Sequence, residues 1–462
     1  MHHPNERTSN EARDLIARVE PRSLRTFTPT QAVLARSAGV FHWTPEGKRL
    51  YDFSSGVLVA NLGHNPTSWL RRFKELMGWD APMDGPYLEA LTLTAYNAIT
   101  PLEAEATERL LATLRGQAGG RRMETVMWAA SGSEAVQKAL WAAHARDKTR
   151  EMILATRYGF HGKKGLAGAV TGSETDKERD PRVRFISFPM AECRDLSMRG
   201  QPIDLAPYRR ELEALVHQFG RRISALITEP YIGGGGSWHP PAEYLHLLQN
   251  FCREHDIVFI LDEVQANFGR TRELFAYSAY GLEPDIVVLG KGLGNGVPVA
   301  AAVGRADIFG SMDFGEGSDT WSANPMCCAA VLATLEEFQH HDILGHSRHI
   351  SGILEEGLVR LKELPFVAHV RGEYQGMVWG VEFADHAGKS AAEWANAAVL
   401  RCYHGDGPEG IHLLGPLAKK VVRVSPPLTM SEIEARESMA LMQRSLSVAA
   451  GGVAVSPALA TH

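Results

Sequence analysis

Ile257-Val258-Phe259-Ile260-Leu261-Asp262-Glu263, followed by Ile286-Val287-Val288-Leu289-Gly290-Lys291-Gly292-Leu293-Gly294-Asn295-Gly296, is the pair of stretches that decides the fold. Each apolar run is too short for a helix and rich in β-branched residues, so both read as buried strands of a parallel sheet. Ligands of such sheets bind outside the carboxyl ends of the strands. One strand therefore delivers the carboxylate of Asp262 to that edge and the other delivers the amine of Lys291. A lysine bracketed by glycines at a strand end reads as a reactive amine rather than a surface charge.

Working outward, the glycines do not spell a nucleotide site. Gly290, Gly292, Gly294 and Gly296 alternate, which misses the G-x-G-x-x-G fingerprint, and Asp285 stands where the first glycine of a P-loop belongs. What remains is a lysine able to form a Schiff base with an aldehyde cofactor, paired with an acid that tunes the cofactor ring.

A length of 462 residues suffices for a large core with a smaller domain beside it. A net charge of -6 argues against nonspecific nucleic-acid or anionic-membrane binding as the main activity. The five cysteines, Cys193, Cys252, Cys327, Cys328 and Cys402, show no C-x-x-C spacing, so a reducing compartment is expected. Residues 1–20 are polar, without the apolar core of a secretory signal, and no apolar run approaches membrane-spanning length. A cytoplasmic protein is the expectation.

Leu261-Asp262-Glu263-Val264-Gln265-Ala266-Asn267-Phe268-Gly269-Arg270-Thr271, then Leu289-Gly290-Lys291-Gly292-Leu293-Gly294, resembles the signature of the class III pyridoxal-phosphate aminotransferases, the ornithine and 4-aminobutyrate type. Both halves, in order and at family-like spacing, make the match specific. The resemblance implies an α/β protein of PLP fold type I, with a mostly parallel central sheet in a large domain and a smaller α+β domain. It implies pyridoxal 5'-phosphate held by Lys291, with Asp262 keeping the pyridine nitrogen protonated and Gln265 on the ring hydroxyl beside Val264. The partners it implies are a small-molecule amino donor, a 2-oxo acid acceptor that closes a ping-pong cycle, and a second copy of the chain in a homodimer with shared active sites. Racemisation, decarboxylation and an aminomutase step on the same fold remain open, as does a binding protein that has kept the fold.

The domains expected are an N-terminal arm with small-domain strands (1–66), a large cofactor-binding domain (67–338), a C-terminal small domain (339–446) and a disordered tail (447–462). Apolar residues flank a Pro45-Glu46-Gly47 turn between Ala35 and Phe53, the pattern of a hairpin or meander. His64, in Gly63-His64-Asn65-Pro66, reads as a turn residue rather than a catalytic base. A strand over 123–130 leads into Ser131-Gly132-Ser133-Glu134 and a helix. These residues match the family's phosphate-binding turn and also fit an ordinary serine cap. Phe160-His161-Gly162 resembles the family's turn whose aromatic ring covers the cofactor; plain core packing for Phe160 and a structural hydrogen bond for His161 are the alternatives.

Glu229 ends the strand 223–228, either beside the cofactor pocket or in a structural salt bridge, and four glycines, Gly233 to Gly236, follow shortly after it. Gly234 occupies the position where the family commonly has a glutamate that pairs with an arginine in the absence of a substrate carboxylate. Thr320, in Ser318-Asp319-Thr320-Trp321-Ser322-Ala323-Asn324-Pro325, matches a threonine that in the family reaches the neighbouring subunit's cofactor phosphate. Arg423 matches the family's carboxylate-binding arginine, although a lone arginine on a strand is usually a surface residue. No internal repeat and no H-E-x-x-H metal motif occurs.

Overall fold

The computed structural model describes residues 2–82, 84–176 and 179–449. β1 (Arg36–Ala38), β2 (Phe41–Trp43) and β3 (Arg49–Asp52) form an antiparallel meander. The β2–β3 turn contains Gly47 at φ +85°, a conformation that favours glycine. Before it, Arg7–Val19 is a helix.

The longest sheet is built from seven strands: β4 (Thr125–Ala129), β5 (Met152–Thr156), β6 (Val183–Ile186), β7 (Ile223–Thr228), β8 (Val258–Asp262), β9 (Ile286–Leu289) and β10 (Ala300–Gly304), in the order β4-β10-β9-β8-β7-β5-β6. From β9 to β6 every neighbouring pair is parallel, and β10 runs antiparallel to both β4 and β9. The two runs that open the sequence reading are the central neighbours β8 and β9, buried along their whole length. No strand was expected at β10, because Ala300-Ala301-Ala302-Val303-Gly304 lacks β-branched density. Pairing on both sides overrides that weak propensity. The alanines serve the packing: Ala300 and Ala302 share a core cluster with Ala135, Ala139, Ala142 and Ala143 of the helix Gly132–Arg146.

This sheet lies in one compact unit, Thr67–Cys193 with Ser197–Leu344. The other unit is Met1–Pro66, Arg194–Leu196 and Gly345–His462. It holds β1 to β3 together with β11 (Val367–Gly372), β12 (Trp379–Phe383), β13 (Glu409–His412) and β14 (Val421–Val424). β13 adds parallel to β3, and β11, β12 and β14 form an antiparallel sheet. β13 lies across from β3 by tertiary pairing that no local pattern announces. The last helix, Glu432–Ala449, buries Met439, Met442 and Leu446 at helical spacing. It therefore carries order three residues into the expected disordered tail, whose remainder, 450–462, lies outside the described residues. All five cysteines are free and buried, and no helix among the described residues is long and apolar enough to cross a membrane.

Candidate active site

Parallel pairing of β8 with β9 sets Asp262 opposite Val288, and Lys291 follows just beyond the end of β9. The acid and the amine thus leave adjacent strands at the same edge of the sheet. Lys291 sits at φ +49°, a left-handed conformation that costs a non-glycine residue on the order of 1 kcal/mol. It opens a tight turn in which the Leu293 N–H donates to the Gly290 carbonyl at 3.1 Å. Asn267 Nδ2 donates to the same carbonyl, also at 3.1 Å, and fixes the turn from the β8 side.

Asp262 is buried, and both of its carboxylate oxygens are held. Oδ1 accepts from the Val264 N–H at 3.0 Å, and Oδ2 lies 2.7 Å from His161 Nδ1. His161 Nε2 is buried and has no partner among the described residues. Its Nδ1 therefore carries a proton that Asp262 accepts. Of the two readings of His161, the structure shows the hydrogen bond and puts it on Asp262. Glu263, the second acid after β8, faces the other way, as strand alternation requires. Its carboxyl accepts from the N–H groups of Ala276 at 2.6 Å and Tyr277 at 2.7 Å, and burial pushes it up to about 8.

Glu229 is buried at the end of β7 and takes neutral donors rather than a cation: Phe160 N–H at 2.9 Å, Gln265 Nε2 at 2.9 Å and Gly233 N–H at 3.4 Å. Close packing explains two of the glycines here. A Cβ on Gly233 would fall 2.7 Å from Gln265 Oε1, and one on Gly234 would fall 3.0 Å from Phe160 Cβ. Burial pushes the Glu229 carboxyl up to about 7, with His161 and Lys291 opposing and Asp262 adding to the rise. A carboxyl raised above its ordinary 4.5 is favoured in its protonated form by the fold. Its contribution is complete below pH 4.5 and is lost as pH rises through about 7. Glu229→Gln, neutral at every pH, is expected to remove on the order of 3 kcal/mol of the stability that the wild type loses between pH 5 and 7. Urea unfolding across that range measures it; parallel curves for the two proteins contradict it.

Ser131 caps the helix Gly132–Arg146 in a full capping box, its Oγ accepting from Glu134 N–H at 3.3 Å while Glu134 Oε2 accepts from Ser131 N–H at 3.0 Å. The ordinary cap is therefore present. The N–H groups of Gly132 and Ser133 still have no acceptor among the described residues, so two donors remain at the positive end of the helix. That end meets the strand-end cluster. A Cβ on Gly132 would lie 3.0 Å from Val264 Cγ1, and one on Gly162 would lie 2.3 Å from Ser133 Oγ. A cavity of about 840 Å³ opens beside the turn, lined among others by Ser131, Ser133, Phe160, Lys163 and Arg182.

Two of the residues singled out in the sequence are not brought to this cluster within the unit. Thr320 is exposed and its side chain makes no hydrogen bond among the described residues. Its turn is tied down by Asp319, which meets Lys138 Nζ at 2.6 Å. Arg423 belongs to the other unit, on β14 opposite Gly380, and it is buried rather than on the surface. Residues that the sequence reading passed over include Asn267 and Gly162. Both lie inside quoted motifs, but only the contact geometry reveals what they hold.

The Aminotransferase class-III family model matches residues 24–446. The chain belongs to the class-III aminotransferases. Among curated relatives, this class-III aminotransferase is 29% identical over 433 residues to an omega-aminotransferase of Caulobacter vibrioides, covering 88% of this chain and 92% of that one. It is 28% identical over 444 residues to a leucine/methionine racemase of Thermococcus litoralis, covering 93% and 94%. Among solved structures, an (S)-enantioselective omega-transaminase from Thermomicrobium roseum aligns at a TM-score of 0.78 with 26% identity, covering 95% of this chain and 98% of that chain. The fold is PLP fold type I, and the cofactor of this class-III aminotransferase is pyridoxal 5'-phosphate. The residues present suit that group: an acid and an amine on adjacent strand ends, and two unused N–H donors at a helix N-terminus for a phosphate.

Proposed function

We propose that this class-III aminotransferase moves an amino group from an amine or amino acid to a 2-oxo acid in a ping-pong cycle, with Lys291 as its reactive amine. The observation that carries this is the pair of adjacent parallel strand ends bearing Asp262 and Lys291, with both oxygens of Asp262 held. Pyridoxal phosphate, when bound, supplies the electron sink for the substrate carbanion and stores the amino group between half-reactions.

The chain's own residues do the rest. Lys291 Nζ would hold the cofactor through its aldehyde carbon, and its amine would carry a proton to and from the substrate carbon that bears the nitrogen. Asp262 holds a negative charge against the ring nitrogen, and His161 fixes the orientation of that carboxylate. The free N–H groups of Gly132 and Ser133, with the Ser131 cap, bind phosphate. Phe160 and Val264 would line the ring's site, and Gln265, braced by Glu229, would meet the ring hydroxyl. Arg423 clamps a substrate carboxylate. Thr320 completes the site of a second copy, so the working form is a homodimer. Free, buried thiols suit the reducing cytoplasm. The unit Thr67–Cys193 with Ser197–Leu344 is the cofactor-binding domain, and the unit with the segments up to Pro66, Arg194–Leu196 and from Gly345 is the small domain.

Amine transfer is expected to depend strictly on an added 2-oxo acid when amines and amino acids are screened as donors with chiral product analysis. The racemase among the relatives and the glycine at position 234 favour one competing reading, racemisation. Inversion of an amino acid's α-carbon without any oxo acid is the result that would replace the first reading with it.

A further inference from the structure

The unit that holds β1 to β3 contains a second cluster of chemistry-bearing side chains. His42 lies on β2 and Asp52 ends β3. His64 is drawn onto them by a two-bond bridge to Gly39, with N···O distances of 2.8 and 2.9 Å. All three converge on one point. Asp52 Oδ2 lies 2.7 Å from His64 Nε2 and 3.3 Å from His42 Nε2, and one ligand atom from each residue falls within 4.8 Å of the others.

We propose that His42, Asp52 and His64 bind a divalent transition-metal ion of the zinc type. Imidazole nitrogen and carboxylate oxygen are the donors such ions select, at about 2.0–2.2 Å from the metal, which sets neighbouring ligand atoms roughly 3.3 Å apart around a tetrahedral centre. Asp52 Oδ2 already stands near that spacing from both imidazole nitrogens, at 2.7 and 3.3 Å.

Their other polar atoms are tied down as outer-shell partners tie metal ligands. His42 Nδ1 meets Ser37 Oγ at 2.6 Å. Asp52 Oδ1 accepts from Ser54 N–H and Ser54 Oγ at 2.7 Å each and from Ser55 N–H at 3.0 Å. A further histidine lies on the neighbouring strand. His412 pairs with Asp52 across the parallel β13–β3 ladder, and its ring packs edge-on to His42 with centroids 5.4 Å apart. Its buried Nδ1 has no hydrogen-bond partner among the described residues. His42 and Asp52 are fully enclosed, while the His64 side chain is 17% exposed and gives the ion its way in. The bound ion joins β2, β3 and the His64 turn as a clip and takes no part in amine transfer.

The test titrates Zn²⁺ into the chelator-stripped, cofactor-loaded enzyme by calorimetry in a non-chelating buffer, with thermal unfolding in parallel. One ion per chain and a raised unfolding temperature are expected in the wild type. His64→Ala, which removes a ligand, abolishes both effects. Ser37→Ala, which removes only an outer-shell partner, weakens binding by about ten- to a hundred-fold and keeps the test alive should the first variant fail to fold. Absence of saturable one-to-one binding by the wild type, or unchanged affinity in either folded variant, overturns the proposal.

Discussion

Lys291→Ala lowers the rate of both half-reactions at least about a thousand-fold, because one substitution removes the covalent hold on the cofactor and the group that carries the proton. The loss is specific to chemistry. Lys291 occupies a left-handed turn position whose strain an alanine shares, and Asn267 and backbone hydrogen bonds hold the turn. The variant is therefore expected to unfold within a few degrees of the wild type. Single-turnover kinetics with an amino donor measure the effect, and a small primary amine added to the buffer restores part of the proton-transfer rate. A variant that keeps more than a tenth of the wild-type rate contradicts the assignment of Lys291.

Asp262→Asn has the second largest effect, on the order of a hundred- to a thousand-fold in kcat, since a neutral amide cannot hold a charge against the ring nitrogen. Here the structure adds a consequence for stability. His161 donates from Nδ1 to Asp262 Oδ2, and its Nε2 is buried without a partner. An asparagine can keep the Val264 N–H on its oxygen, but its NH₂ then faces the imidazole. His161 must turn into an acceptor at Nδ1 and carry its proton on the buried Nε2, which strands a donor at a cost of about 1–3 kcal/mol. The expected result is a joint loss of rate and thermal stability. Lowered activity with an unchanged unfolding temperature would show that the His161 contact is not what fixes the Asp262 carboxylate.

How much of this was legible in the sequence depended on the range of the interaction. β8 and β9 were readable because four or five consecutive buried apolar residues ending in Asp262 or Gly290-Lys291 leave few other structures. The helix start at Ser131 was readable too, since a capping box is a local device. β10 was not, because its alanines are chosen by the helix packed on them rather than by strand propensity. The pairing of His161 with Asp262 joins residues 101 positions apart, and no spacing rule reaches across that interval. The same holds for His412, which reaches Asp52 only through the parallel β3–β13 ladder.

Reduction of the cofactor-loaded enzyme with borohydride, followed by proteolysis and mass spectrometry, tests the central assignment most directly. A single pyridoxyl-phosphate adduct is expected, on the peptide containing Gly290-Lys291-Gly292. An adduct on any other lysine, or none in protein that shows the cofactor's absorbance, contradicts it.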